Sequence, residues 1–197
     1  MTVKATEKTQ SPKQNAILEA ALVLFSEKGF DGTPVPLVAE KAGVGAGTIY
    51  RYFESKEALV NALYQHWKSK FIEGLTEFYS PELDSRAKFA ALWKGLVTFA
   101  RSNPVAFSFL EMHHHTPYLD EKSAELTAKA MDVLRNYLLE GRAAKELKDL
   151  SPDFLIAFLF GAFVGVFKSA RGGRISLDQA TVDAAEECCW RAIRVEG

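Results

Sequence analysis

The hydrophobic residues of this chain recur with the period of an α-helix from its first apolar segment onward. Intervals of three and four residues place one set on a single helical face, namely Ile17, Ala20, Ala21, Leu24 and Phe25. Ser11-Pro12 comes just before this set and is typical of a helix start, and Gly29 after it is typical of a helix end. The pattern therefore predicts a first helix over residues 12–28.

The same start and stop signals recur along the chain and predict an all-α fold of about nine helices. Thr33-Pro34, Asn103-Pro104 and Ser151-Pro152 repeat the opening pattern. No alternating run of β-branched residues reaches the length of a strand. The predicted helices cover residues 12–28, 34–41, 45–52, 55–79, 84–102, 104–115, 120–147, 152–171 and 177–195.

The predicted helices come in two sizes, and this divides the chain. The first three helices are short, and those from residue 55 onward are long. We therefore predict a disordered tail over residues 1–10 and a three-helix domain over 11–54, with a helix-turn-helix at about 34–53. A larger C-terminal helical bundle is predicted over residues 55–197.

Composition and charge indicate a soluble globular protein. Hydrophobic residues make up 48% of the 197 residues, charged residues make up 25%, and the net charge is −1. The balance is uneven, because residues 1–70 hold 9 Lys and Arg against 7 Asp and Glu, which gives this part a net charge of +2. A nucleic-acid partner would therefore have to be recognised by a local surface.

The sequence also predicts a cytoplasmic protein that does not enter a membrane. Its N-terminus is polar, unlike a secretory signal, and its two cysteines, Cys188 and Cys189, are adjacent and cannot staple distant parts of a fold. The longest uncharged apolar run, Phe154 to Phe167, has fourteen residues, whereas about 20 are needed to span a bilayer. We therefore expect this run to be a buried helix.

The segment GVGAGTIYRYF, residues 43–53, places three glycines beside an aromatic and basic stretch. A phosphate-binding loop would need a Lys-Ser or Lys-Thr pair after its last glycine and a buried strand before it, and the sequence has neither. A helix-turn-helix explains the segment better, because Gly43 can supply the positive φ of a turn between two short helices.

Residues 17–64, ILEAALVLFSEKGFDGTPVPLVAEKAGVGAGTIYRYFESKEALVNALY, resemble the DNA-binding domain of the TetR (tetracycline repressor) family of transcriptional regulators. The resemblance is detailed over these 48 of the 197 residues and elsewhere extends only to length and helical rhythm. It implies an Ω-shaped, all-α homodimer. Paired helix-turn-helix domains would bind a palindromic DNA operator, and the C-terminal domain would bind a small-molecule effector.

Carried over one position at a time, the resemblance assigns DNA contacts to the second and third helices and to the start of the fourth. Thr33 would cap the second helix and meet a phosphate, and the recognition helix would enter the major groove. The full set is Thr33, Pro34, Val35, Gly45, Ala46, Gly47, Thr48, Tyr50, Arg51, Tyr52 and Lys56. Core packing is the alternative role for Tyr50 and Tyr52, and a solvated position is the alternative for Lys56.

This chain departs from the family at the groove-facing turn. The family usually carries a polar pair such as Ser-Lys where this chain has Gly45-Ala46. A side-chain donor and a charge are therefore missing there. We expect sequence recognition to depend on Thr48, Arg51 and the shape of the DNA.

The segment LWKGLVTFARSNPVAFSFLEMHHHTPYL is the predicted wall of a ligand cavity, because it combines aromatic and apolar side chains with a few polar ones. The candidate effector-binding residues are Trp93, Phe107, Met112, His113, His114 and Tyr118. The effector is predicted to be a largely apolar small molecule. Adjacent helical residues point about 100° apart, so His113 to His115 cannot all face one metal ion, and no cofactor is expected.

Two late helices carry stripes of small and apolar residues that suit a two-fold interface between copies of the chain. The candidate dimer residues are Ala157, Phe158, Gly161, Gly165, Ala184 and Cys188. Packing within one chain is the alternative explanation of these stripes.

The sequence leaves three functions to compare. The sequence favours a ligand-responsive DNA-binding regulator, acting as a repressor that its effector releases from the operator. A dimeric DNA-binding protein without an effector is the alternative. A remote third is a helical metal-dependent enzyme that uses the histidines of residues 113–115 with Glu111 or Asp120, but neither a catalytic triad nor a metal-ligand spacing supports an enzyme.

Overall fold

The computed structural model describes residues 11–113 and 117–196, and the chain forms nine helices within them. They are α1 (Pro12–Lys28), α2 (Val35–Lys41), α3 (Ala46–Tyr52), α4 (Lys56–Thr76), α5 (Ser85–Ser102), α6 (Pro104–His113), α7 (Glu121–Ala143), α8 (Pro152–Arg171) and α9 (Gln179–Ile193). In these residues the only strand-type pairing is an isolated bridge between Leu147 and Arg194. The predicted all-α fold is confirmed.

Polar side chains cap several helix starts as expected from the sequence. The Ser11 hydroxyl accepts a hydrogen bond from the Gln14 amide at 3.2 Å, and the Ser55 hydroxyl accepts one from the Ala58 amide at 3.1 Å. Each cap satisfies an amide that has no partner within its helix. Asp178 caps α9, so this helix begins two residues later than predicted.

Helix α7 ends four residues earlier than predicted, because the chain reverses at its C-terminus. Lys145 adopts a positive φ of 60°, which is uncommon outside glycine and leaves no signal in the sequence. The Leu147 amide then donates to the Gly141 carbonyl at 3.1 Å, and the Lys148 amide donates to the Ile193 carbonyl at 2.8 Å. Residues 145–148 therefore follow the end of α9 instead of extending α7.

By packing, the chain divides into two compact units. The first contains the residues up to Lys68 together with Asn103–Ala124, and the second contains Ser69–Ser102 and the residues from Glu125 onward. The first unit thus holds α1, α2, α3, the start of α4, α6 and the start of α7. The predicted three-helix domain of residues 11–54 is part of this unit, and the predicted boundary at residue 55 falls inside it.

A buried amide links the two parts of the chain that form the first unit. The Asn61 side chain in α4 donates to the Tyr118 carbonyl at 2.7 Å. Its oxygen accepts hydrogen bonds from the Asp120 amide and the Ser123 hydroxyl, both at 2.8 Å. Gln65, one turn further along α4, donates to the Asp120 carboxylate at 3.0 Å. Residues 118–123 are therefore held in one register along α4.

The second unit contains a close approach between the end of α4 and α5. A Cβ atom built on Gly95 would lie 2.4 Å from the Gly74 carbonyl oxygen and 2.7 Å from that of Leu75. Backbone atoms cannot move aside as flexible side chains do, so α5 can pack here only with glycine at position 95.

We predict that Gly95→Ala destabilises the protein by about 2–3 kcal/mol, because the added methyl group overpacks against backbone. Gly74→Ala is the matched control, since its Cβ would meet the Phe99 ring at an ordinary 3.5 Å. Urea unfolding should show a clear loss of stability for the first variant and no loss for the second. Equal unfolding midpoints for the two variants would contradict the close approach.

Candidate nucleic-acid interface and ligand cavity

Gly43 forms the turn between α2 and α3. Its φ of 66° lies in the left-handed region, as the sequence predicts for this position. The Val44 amide donates to the Ala39 carbonyl at 3.0 Å, which closes the end of α2. Ile49 then points inward from α3 and is 1% exposed. The turn and this anchor fix α3 against α2 and leave its opposite face in solvent.

The first turn of α3 presents almost no side chain to solvent. Gly45, Ala46 and Gly47 are all exposed, and a Cβ atom added at either glycine would meet nothing within 4 Å. The packing of the unit therefore does not require glycine at position 45 or 47. A bare surface of this kind allows another molecule to approach the backbone closely.

Thr33 and Val35 lie inside the unit and not on this surface. The Thr33 hydroxyl is 0% exposed and donates to the carbonyls of Gly29 at 2.7 Å and Leu24 at 3.2 Å. Pro34 occupies the N-cap of α2, so the prediction that Thr33 caps this helix is wrong. Buried carbonyls at the end of α1 need a donor, and the threonine supplies it instead of meeting a phosphate. Val35 is 6% exposed and is part of the core, whereas Pro34 is exposed.

The polar end of α3 carries Tyr50, Arg51 and Tyr52. Tyr50 is 54% exposed, and Arg51 is exposed as well. The Tyr52 hydroxyl accepts a hydrogen bond from the Ser11 hydroxyl at 2.9 Å and one from the Arg51 guanidinium at 3.4 Å. The Ser11 bond first, and then Arg51, hold the pKa of Tyr52 below its usual value. Tyr52 therefore ties α3 to the start of α1.

Lys56 and Thr48 flank this surface and are half-buried. The Lys56 ammonium lies 4.1 Å from the centre of the Phe30 ring, a cation–π distance that holds the charge at the start of α4. The Thr48 amide donates to the Gly45 carbonyl at 2.8 Å in the first turn of α3. The structure thus leaves most of the predicted DNA-contact residues exposed or half-buried, and it buries Thr33 and Val35.

His113 is a core residue of the first unit. Its ring is 1% exposed, Nε2 lies 3.3 Å from the Phe25 carbonyl oxygen, and Nδ1 bonds with the Tyr118 hydroxyl. These partners fit a neutral ring in which Nε2 donates to the carbonyl and Nδ1 accepts from the tyrosine. Burial lowers the pKa of His113, which also favours the neutral form.

The other ligand-wall candidates of this segment also lie in the first unit. Phe107 is buried there, and Met112 is 47% exposed. The Tyr118 ring stacks on Phe30 with centroids 4.1 Å apart. His114 is outside the residues that the structure describes. Over residues 11–113 and 117–196 no group of three metal-ligating side chains occurs.

An apolar cavity of about 60 Å³ lies in the second unit, and Trp93 is the predicted effector residue that lines it. Helices α4, α5, α7 and α8 all contribute to the wall. The lining residues are Phe71, Leu75, Phe89, Leu92, Trp93, Leu96, Leu134, Tyr137, Leu138, Ile156, Leu159 and Phe160. None of them carries a charged side chain, so the cavity suits an uncharged, apolar occupant.

Helix α8 is exposed along one face, which corrects the expectation that it is wholly buried. Phe154 and Phe158 are 57% and 47% exposed, and Ala157, Gly161 and Gly165 share the same exposed face. Within the described part of the chain, α8 is the one helix long and apolar enough to cross a bilayer, and 22% of its apolar window is buried. An exposed, contiguous apolar face is typical of an interaction surface.

Helix α9 also has two of the candidate dimer residues exposed on one face. Ala184 and Cys188 are exposed on α9, four residues apart and therefore on one face. The next residue, Cys189, is buried, and burial, with Cys188 beside it, raises the pKa of its thiol to about 11. A thiol with a raised pKa is a poor nucleophile, so Cys189 is a packing residue.

Two family models match the chain almost end to end. Residues 17–63 match the model for bacterial regulatory proteins of the tetR family. Residues 64–195 match the tetracyclin repressor-like C-terminal domain. Together they cover both the helix-turn-helix and the helices that surround the cavity.

Curated relatives and solved structures agree with these matches. The chain is 29% identical to a fatty acid metabolism regulator protein of Bacillus subtilis over 72% of this chain and 74% of the relative. It is 28% identical to the HTH-type transcriptional repressor KstR2 of Rhodococcus jostii over 86% of this chain and 85% of the relative. A TetR family transcription regulator from Marinobacter aquaeolei has the same fold, with a TM-score of 0.83 at 22% identity over 93% of this chain and 96% of the other.

The bare turn of α3 leads to a prediction that separates folding from DNA binding. Gly47→Ala should stabilise the protein by about 0.5–1 kcal/mol, because alanine is the better helix former and its methyl group meets open space. The same variant should bind duplex DNA more weakly, since the methyl group stands on the predicted groove-facing surface.

Urea unfolding and fluorescence anisotropy with labelled DNA measure the two effects. Gly74→Ala is the control, because it makes the same substitution in α4, outside the predicted DNA contacts. A Gly47→Ala variant with unchanged DNA affinity would show that the first turn of α3 does not enter the groove.

Proposed function

This chain belongs to the TetR family of bacterial transcriptional regulators, and we propose that it is a repressor that a largely apolar effector releases from a palindromic operator. The exposed, nearly bare first turn of α3, held by the Gly43 turn and the buried Ile49, carries the proposal. It matches what a recognition helix needs in order to bring its backbone close to base edges. The family is one of transcriptional regulators, and no enzymatic activity is proposed for this chain.

In this proposal α3 reads the operator and the residues around it hold the phosphate backbone. Arg51 is exposed and long enough to donate two hydrogen bonds to a guanine, and Ala46 offers a methyl contact to thymine. Tyr50 and Lys56 supply a hydroxyl and a charge for phosphates. Tyr52 has a second role, because its bond to Ser11 positions the end of α3.

The effector is proposed to enter the second unit at the cavity lined by Trp93. All of its walls are aromatic or aliphatic, and a relative at 29% identity is named as a fatty acid metabolism regulator. A molecule with a slender aliphatic part fits both observations. At about 60 Å³ the cavity is small compared with typical ligand sites, so binding would widen it.

The exposed face of α8 is proposed to be covered by a second copy of the chain. Its large aromatic residues, Phe154 and Phe158, and its small residues, Gly161 and Gly165, would let two helices approach closely about a two-fold axis. Ala157 on α8 and the exposed Ala184 and Cys188 of α9 would extend this surface. A two-fold dimer presents two recognition helices, which is why a palindromic operator is expected. Binding to DNA would take place in the cytoplasm.

The first test concerns sequence reading. An operator selected from randomised duplexes should bind with nanomolar affinity that falls steeply as salt rises. Arg51→Ala should cost about 1–3 kcal/mol of binding and relax the preference at one base pair. Arg174→Ala, which removes an exposed arginine from the second unit, is the matched control. If Arg51→Ala weakens binding to all DNA sequences equally, Arg51 contacts a phosphate and not a base.

The second test concerns release by an effector. Methyl decanoate, as an uncharged aliphatic probe, is expected to weaken operator binding, and operator DNA must then weaken methyl decanoate binding by the same factor. Calorimetric titrations with and without the operator measure both quantities. If methyl decanoate binds equally well in the presence and absence of operator, it does not act by release, and the dimer would be a DNA-binding protein independent of this class of effector.

A further inference from the structure

Trp93 leaves one buried hydrogen-bond donor without a partner. Its indole Nε1 is the only buried side-chain nitrogen or oxygen without a hydrogen bond across the residues that the structure describes. Other buried polar groups, such as the Asn61 amide, are paired. Buried donors are nearly always satisfied in native proteins, and an exception calls for a functional or structural reason.

The surroundings of Trp93 offer this donor little within the protein. The Trp93 ring stacks on Phe89 with centroids 6.0 Å apart and meets Phe163 edge to face at 5.5 Å. An N–H group against an aromatic face gains much less than one against a carbonyl oxygen. The donor belongs to a residue that lines the cavity and is 5% exposed.

Tyr137 is the other lining residue with a polar atom, and its hydroxyl is already engaged. It donates to the Ser85 carbonyl oxygen at 3.1 Å, and burial raises its pKa, so the group stays neutral. Among the lining residues, Trp93 therefore carries an unpaired donor, Tyr137 carries a paired hydroxyl, and none is charged. An ionised carboxylate inside this cavity would lack a countercharge, which is costly in an apolar environment.

We propose that the effector carries an uncharged hydrogen-bond acceptor, such as a ketone, ester or thioester carbonyl, that pairs with Trp93 Nε1 while its hydrocarbon part fills the apolar cavity. The inference rests on the proposed function and adds the chemical class of the effector to it. Indole Nε1 is a donor only, so the ligand must supply the acceptor. An alkane would leave the donor unpaired.

The experiment uses two small probes of matched length, 2-heptanone and 1-heptene, with the full-length protein. Trp93→Phe removes the donor and keeps an aromatic ring, and Trp67→Phe makes the same substitution outside the cavity wall. We expect Trp93→Phe to bind 2-heptanone about three- to tenfold more weakly relative to 1-heptene, the loss of one hydrogen bond. Trp67→Phe should leave this ratio unchanged.

Infrared spectroscopy gives a readout that packing alone would not change. With the carbonyl of 2-heptanone labelled with ¹³C, the bound ketone should absorb at a lower frequency than it does in hexane, because a hydrogen bond weakens the C=O bond. The shift should disappear in Trp93→Phe. The wild-type spectrum tests the proposal even if the variant folds poorly.

The outcomes separate this proposal from the function on which it rests. Bound ketone that absorbs as in hexane, or an affinity ratio that Trp93→Phe leaves unchanged, would overturn the pairing, while operator binding and its release by methyl decanoate would still stand. Failure of both probes to bind wild-type protein would overturn the pairing and the cavity as effector site, leaving DNA binding intact.

Discussion

The hydrogen bonds of Asn61 are the constraint on which the first unit most depends. Its buried amide joins α4 to residues 118–123, which follow it by 57–62 positions in the chain. Leaving such a group unpaired costs about 1–3 kcal/mol, so α4 and this segment pair in a single register. His113 reinforces the arrangement through the Phe25 carbonyl. The helix-turn-helix is therefore built on a unit that the chain completes only after α6.

Most of the fold follows from signals that act within a few residues. The Ser11 cap, the proline starts of α1, α6 and α8, and the positive φ of Gly43 each depend on neighbours no more than four positions away, and the sequence predicts them correctly. Partners far apart in the chain are a different matter. A threonine before a proline is typical of a helix cap, but the Thr33 hydroxyl bonds to a carbonyl of α1. The carbonyl oxygen that accepts from His113 lies 88 residues earlier in the chain. No local pattern carries that information.

The ligand cavity, too, depends on contacts between residues that are far apart in the chain. Aromatic and apolar residues mark a cavity wall and a solid core in the same way. The sequence therefore predicts both Trp93 and Phe107 as wall residues, although Trp93 lines the cavity and Phe107 packs in the other unit. The exposed face of α8 is a further example. Its apolar run predicts burial, but only 22% of its apolar window is buried within the described part of the chain.

The open space around Gly45, Ala46 and Gly47 also bears on how such a regulator can change over generations. Because a Cβ atom added at position 45 or 47 would meet nothing within 4 Å and both positions are exposed, new residues there would leave the core of the unit undisturbed. Most substitutions in a protein lower its stability, but substitutions at these positions would lower it very little. A duplicated copy of the gene could thus acquire a polar or charged residue in this turn, and with it a different set of target promoters, without first losing its fold.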